Sequence, residues 1–88
     1  MNLAELRQAI MGKAVVLFND FNGVAQLWTI TEVQHSEGGF LITAFDEEQQ
    51  AMILEADLAR IQQMTRRGIS REFNAPQGGT TKLTLTIR

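Results

Sequence analysis

The 88-residue sequence contains no cysteine, a single proline and a single histidine. Without cysteine the chain cannot form a disulfide, a zinc–thiolate site or a thiol nucleophile, and nothing in it argues for an oxidising compartment. No apolar run approaches the ~20 residues that a bilayer-spanning helix requires. The first residues carry mixed charges and lack the continuous apolar segment of a secretory signal. These absences predict a cytoplasmic protein without a membrane segment.

The composition is that of an ordinary globular chain, with 44% hydrophobic and 20% charged residues. A chain of this length forms one domain with a small core. We divide it into an N-terminal helix (residues 1–12), a series of barrel strands (13–63) and a C-terminal hairpin extension (64–88). No internal repeat or low-complexity tract interrupts this single domain.

The first segment has helical periodicity and the segments after it are typical of strands. Leu3, Leu6 and Ile10 fall on one helical face, with Asn2 as the N-cap and Gly12 as the stop signal. The segment ADLARI (residues 56–61) predicts a single tight turn that directs its leucine and isoleucine inward. Strand-like runs occur at residues 13–18, 25–33, 40–45, 51–55, 69–73 and 82–88.

Alternation within these runs predicts which residues share a face of the sheet. In the second run Trp28 and Ile30 share one face, and Val33 falls with Leu27 on the other. The third run (residues 40–45) is apolar on both faces, which predicts a central strand covered on both sides.

One helix followed by closely spaced short strands and a C-terminal hairpin predicts a mainly β (α+β) fold. We expect a small, highly bent antiparallel β-barrel that is capped by the helix. An open α+β sheet with the helix packed across one face is the alternative.

The order of these segments resembles that of the WYL domain over about residues 3–63. WYL domains are Sm-like small barrels, and bacterial Sm-like RNA chaperones share the order of one helix followed by five strands. The resemblance therefore implies a small Sm-like barrel. The matching positions are Ala9 and Ile10 at the helix end, Phe40 and Leu41, Ala44 to Asp46, and Leu58 and Ile61.

The same comparison does not carry the family's ligand site over to this chain. Gly39 and Phe40 stand where the family has tryptophan and tyrosine. WYL domains typically use basic residues near the later strands to hold nucleotide or single-stranded nucleic acid. Residues 51–61 contain one basic residue, Arg60, and two acidic residues, Glu55 and Asp57.

No group of residues has the pattern of a catalytic or metal site. His35 and Glu37 lie in one predicted turn and Asp46 to Glu48 in another, whereas a metal site needs three or four convergent ligands. Ser36 and Ser70 lack the context of a nucleophile elbow or triad. We therefore expect no catalytic residue, no metal, no cofactor and no enzymatic activity.

Charge is distributed unevenly along the chain. Residues up to Asp57 include nine acidic and two basic side chains, a net charge of −7, whereas the remainder has six basic and one acidic, a net charge of +5. Such polarity can promote head-to-tail self-association or present a basic face to an anionic partner, although the two segments can also cancel each other within one fold.

A nucleic-acid or nucleotide-binding regulatory domain is the alternative function. Arginine side chains pair with phosphates, and Trp28 or Phe73 could stack a base. The acidic first two-thirds of the chain would repel a polyanion unless the basic residues were segregated on one surface. The candidate anion-binding residues are Arg60, Arg66, Arg67, Arg71 and Lys82.

The leading hypothesis is a non-catalytic binding module that acts through protein–protein contact or self-association as a homo-oligomer. The last run alternates apolar and polar residues cleanly, which predicts a half-buried strand at an edge of the sheet. Small barrels often associate by pairing edge strands. The candidate interface residues are Leu83, Thr84, Leu85, Thr86 and Ile87.

Overall fold

The computed structural model describes residues 1–88 and contains two α-helices and six β-strands. Neither helix is long and apolar enough to cross a membrane. The helices are α1 (Leu3–Ile10) and α2 (Leu58–Arg66), and the strands are β1 (Ala14–Asn19), β2 (Val24–Ser36), β3 (Gly39–Phe45), β4 (Ala51–Ala56), β5 (Ile69–Asn74) and β6 (Thr80–Ile87).

The six strands form one antiparallel sheet in the order β4-β3-β2-β1-β6-β5. This arrangement confirms the predicted mainly β fold, with an N-terminal helix, a bent sheet and a C-terminal β5–β6 hairpin. The sheet curls into a half-barrel, and its two edge strands, β4 and β5, are not hydrogen-bonded to each other.

Both helices contribute to a single core on one face of this sheet, which we call the core face; the opposite face is the outer face. Leu6 and Ile10 of α1 and Ile61 and Met64 of α2 are buried in the same cluster as the strand residues. The strands contribute Val15, Ile30, Val33, Phe40, Ile42, Ala44, Ala56 and Ile87.

Helix α1 begins where the sequence predicts. The Asn2 side-chain oxygen accepts a hydrogen bond of 2.9 Å from the backbone N–H of Glu5, which satisfies one of the free donors of the first turn. The helix ends at Ile10, directly before the turn that leads into β1.

Helix α2 corrects the prediction of a single tight turn at residues 56–61. The chain instead continues helically to Arg66, five residues beyond the predicted turn. Asp57 is the N-cap, and its carboxylate accepts a hydrogen bond of 2.9 Å from the backbone N–H of Arg60. Ile61 and Met64 then share the buried side, three residues apart. The cap and this spacing together define a helix longer than one turn.

A β-bulge in β2 corrects the predicted face of Val33. The register with β3 shifts between Ile30 and Glu32, leaving Thr31 as the extra residue. An extra residue reverses the alternation beyond it. Ile30 and Val33 are therefore both buried on the core face, although strict alternation would separate them.

Two predictions about strand position are also wrong. Strand β3 is covered on the core face only, because Leu41, Thr43 and Phe45 on its outer face remain partly exposed. Strand β6 is not an edge strand, since it pairs with β1 on one side and with β5 on the other. Residues 83–87 pair with β1 and residues 80–85 pair with β5, so the backbone of residues 83–85 is occupied on both sides.

Candidate interaction surfaces

The five predicted anion-binding residues do not form one patch. Arg60, Arg66 and Arg67 belong to α2 or its C-terminal cap, whereas Arg71 lies on β5 opposite Leu83 and so on the core face. Lys82 lies opposite Glu72 on the outer face. The β5–β6 hairpin therefore separates its two basic side chains onto opposite faces of the sheet.

The exposed side of α2 brings two of these arginines together. Arg66 and Arg67 border a shallow depression of about 400 Å³ together with Ala59, Gln62 and Gln63. No aromatic side chain lines this depression. Trp28 packs against the core, so among the aromatic residues considered for base stacking Phe73, 47% exposed, is the one at the surface, beside Arg71.

The acidic turn and the single histidine have structural partners. Asp46 Oδ1 accepts hydrogen bonds from the backbone N–H groups of Glu48 (2.9 Å) and Gln50 (2.8 Å) and so organises the β3–β4 turn. The ring of His35 stacks on Phe40 with 5.3 Å between the centroids. No group of three or more histidine and carboxylate side chains is placed to hold a metal ion.

The β4 edge presents backbone hydrogen-bonding groups on alternate residues. The Asp46 N–H donates to Gln50 C=O at 3.1 Å, which sets the phase of the antiparallel ladder. Continuing that phase, Met52 and Leu54 bond to β3, and the N–H and C=O groups of Ala51, Ile53 and Glu55 point away from the sheet. The side chains of these three residues lie on the outer face.

The β5 edge has the same relationship between backbone and side chain. The Ala75 N–H donates to Gly79 C=O at 3.1 Å, which places Arg71 and Phe73 in bonded pairs with β6. The outward N–H and C=O groups therefore belong to Ser70, Glu72 and Asn74. Their side chains also lie on the outer face, because Glu72 is directly opposite Lys82.

Strand β4 has few of the features that usually protect an edge, and its one charged residue, Glu55, lies near its C-terminal end. Ala51, Met52, Ile53 and Leu54 carry no charge, and the pairing with β3 runs without a bulge. Ile53 is 65% exposed, the largest exposed fraction among the exposed large hydrophobic side chains. A regular, unpaired edge whose first four residues carry no charge is a template for another strand.

Sequence reasoning overlooked the β4 edge because it placed the edge at the C-terminus. The signal was present in the uncharged run AMIL, which contains neither a charge nor a proline to protect an edge. Strand order could not be read from the same letters, since the alternation in β6 suits an interior strand with one exposed face as well as an edge.

Comparison with known proteins adds no family assignment: no protein-family model, no curated protein and no solved structure matches this chain.

Proposed function

We propose that this domain is a non-catalytic association module that joins further copies of itself head to tail, the β4 edge of one copy pairing with the β5 edge of the next. The observation that carries the proposal is that the sheet has two unpaired edges of matching geometry and opposite flanking charge. The occupant of each edge is thus a second copy of the same chain.

Strand direction supports this pairing. All five neighbouring pairs in the six-stranded sheet are antiparallel, so strand direction alternates across it. The two edge strands, β4 and β5, therefore run in opposite directions. Copies that share one orientation therefore bring β4 against β5 as an antiparallel pair. A heterologous contact of this kind closes into a ring or continues as a filament.

The alternation of side chains is compatible as well. In an antiparallel pair, two residues that exchange backbone hydrogen bonds have side chains on the same face. The outward backbone groups belong to outer-face residues on both edges. These residues are Ala51, Ile53 and Glu55 on β4 and Ser70, Glu72 and Asn74 on β5. Joining the edges thus continues the outer face of one copy into the outer face of the next.

Charge favours the same orientation. Antiparallel pairing brings the C-terminal end of β4, with Glu55 and Asp57, beside the N-terminal end of β5, which follows Arg66 and Arg67. The only ion pair of the protein is Arg7–Glu32, so these four side chains have no ionic partner within the chain. A register with Ile53 opposite Glu72 also avoids placing Glu55 against Glu72.

Two proline variants test the proposal. Ile53→Pro and Glu72→Pro each remove one outward N–H, and neither removes a hydrogen bond of the folded monomer. We expect the wild-type chain to sediment with a mass that rises above 9.9 kDa with concentration. Each variant alone should remain a monomer, because each lacks one of the two edges that a contact requires.

Mixing the two variants gives the decisive result. The intact β5 of one and the intact β4 of the other allow one contact, so an equimolar mixture should form a heterodimer and nothing larger. Circular dichroism of each variant verifies that the fold is retained, and Ile53→Lys and Glu72→Lys replace any variant that unfolds. A wild-type chain that stays monomeric at high concentration overturns the proposal. So does a Glu72→Pro variant that dimerises alone, since that result assigns the contact to two β4 edges.

A further inference from the structure

The core face continues beyond the core as an apolar trough. The helices pack over the end of the sheet near Val15 and Ile87, and toward the far end of β1, β6 and β5 the residues that line the core face all lie on strands. Leu17, Ile69, Phe73, Leu83, Leu85 and Arg71 line a trough of about 190 Å³ there, and we call these six residues the trough.

Arg71 is the one charged residue in this trough. Its register partner on β6 is Leu83, and no carboxylate forms an ion pair with it. A guanidinium group beside five apolar side chains is complementary to a ligand that carries one anionic group on an apolar body.

The backbone around the trough distinguishes between possible occupants. Strand β1 is paired with β2 and β6, and β6 is paired with β1 and β5, so their N–H and C=O groups are already bonded. An extended polypeptide laid across these strands would lose water from its own backbone groups and find no partners in the floor of the trough. An alkyl chain has no such groups to satisfy.

We propose that the trough binds an aliphatic carboxylate, with the alkyl chain on Leu83, Leu85 and Phe73 and the carboxylate on the Arg71 guanidinium. The residues belong to a single chain, so the site does not depend on the proposed head-to-tail contact. The predicted ligand class is a fatty acid of short to medium length.

The test is an NMR titration with octanoate, recorded on Ile53→Pro so that self-association does not contribute. Ile53 lies on β4 and outside the trough. We expect saturable shifts of the amide signals of Ile69, Phe73, Leu83 and Leu85. Arg71→Gln should weaken binding roughly three- to tenfold, as expected for the loss of a partly exposed charge-assisted contact. Arg60→Gln on α2 removes an equal charge outside the trough and should leave the affinity unchanged.

Two further ligands test how much the carboxylate contributes to binding and whether the trough prefers an alkyl chain to a peptide. Octanol has a similar chain without the charge and should bind more weakly to the unaltered trough, and its affinity should not change when Arg71→Gln is added to the same background. An apolar tripeptide with a free carboxylate should bind more weakly than octanoate. Absent shifts at millimolar octanoate, equal effects of Arg71→Gln and Arg60→Gln, equal binding of octanol, or tighter binding of the peptide would each overturn the proposal. A repeat with dilute wild-type protein guards against an effect of the proline.

Discussion

Arg7 and Glu32 form the one ion pair of the protein, with Nη2 of the arginine 3.1 Å from Oε1 of the glutamate. The same arginine donates from Nε to the C=O of Val33 at 2.9 Å, and Glu32 Oε1 accepts from the Val33 N–H at 2.9 Å. The pair thus holds both backbone groups of Val33, immediately after the bulge in β2. Helix α1 is fixed to the sheet at the point where the strand changes its alternation.

Arg7→Ala should lower the free energy of unfolding by about 1 kcal/mol, because it removes an exposed ion pair and leaves a partly buried carbonyl without its donor. Urea denaturation followed by circular dichroism measures the change. Arg7→Lys keeps the charge but cannot bond the glutamate and the carbonyl with the same fork, so we expect an intermediate loss. An unchanged midpoint for Arg7→Ala would show that these contacts of Arg7 contribute no net stability.

Gly39 occupies a position where a side chain has no space. Its φ angle is +125°, and an added Cβ would lie 2.7 Å from the Asp57 Cα and 2.8 Å from the Ala56 carbonyl oxygen. These are backbone atoms of the β4–α2 junction and cannot move aside cheaply. Gly39→Ala should therefore destabilise the protein by at least ~2 kcal/mol.

Gly12→Ala is the matched control for Gly39→Ala. Gly12 has a φ angle of +80° and no atom within 4 Å of an added Cβ, so its substitution carries the conformational cost without the clash. We expect a loss of about 1 kcal/mol from thermal or urea unfolding. Equal losses for the two variants would mean that the close approach to Asp57 contributes nothing.

The sequence predicted the helices and strands more successfully than it predicted which strands pair and which residues face the core. Local signals located α1, its Asn2 cap and the β5–β6 hairpin, because capping and alternation depend on residues close together in the chain. The face of Val33 was not predictable in this way. One inserted residue reverses the alternation, and Thr31 has no feature that marks it as a bulge.

The candidate site was harder to predict for a related reason. Strand β6 has the alternation of an edge strand but lies between β1 and β5, and that order is fixed by tertiary pairing rather than by local sequence. From the sequence, Arg71 and Lys82 were assigned to the same candidate anion-binding set. The pleat of the β5–β6 hairpin places their side chains on opposite faces of the sheet. Alternation indicates the faces within the β5–β6 hairpin, but only the strand order shows which edges of the sheet are open.

Asp57 is expected to stabilise α2, the helix that the sequence pattern did not reveal. Asp57→Ala removes the acceptor for the Arg60 N–H and should reduce the free energy of unfolding by about 1 kcal/mol. Asp57→Asn retains a side-chain oxygen and should cost less. Urea titration of the three proteins measures the ranking, and an alanine variant as stable as the asparagine variant would contradict the cap.

Salt should weaken the proposed head-to-tail association. The contact places Glu55 and Asp57 of one copy near Arg66 and Arg67 of the next, and these exposed charges attract each other across a short distance. At about 1 M NaCl the Debye length falls to ~3 Å, so most of this attraction is screened. Sedimentation equilibrium should show a several-fold rise in the dissociation constant between low and high salt.

The sign of the salt effect also distinguishes two arrangements of the same edge strands. A two-fold contact between two β4 edges would bring Glu55 and Asp57 close to the acidic turn at Asp46 to Glu48, so screening would strengthen it. If the contact is head to tail, the double variant Arg66→Gln/Arg67→Gln should weaken association at low salt. The same variant should also lose most of the salt dependence of association. Lys13→Gln removes a charge next to interior strand β1, away from both edges, and should change neither, so an equal effect of Lys13→Gln would assign the salt dependence to net charge instead of the contact.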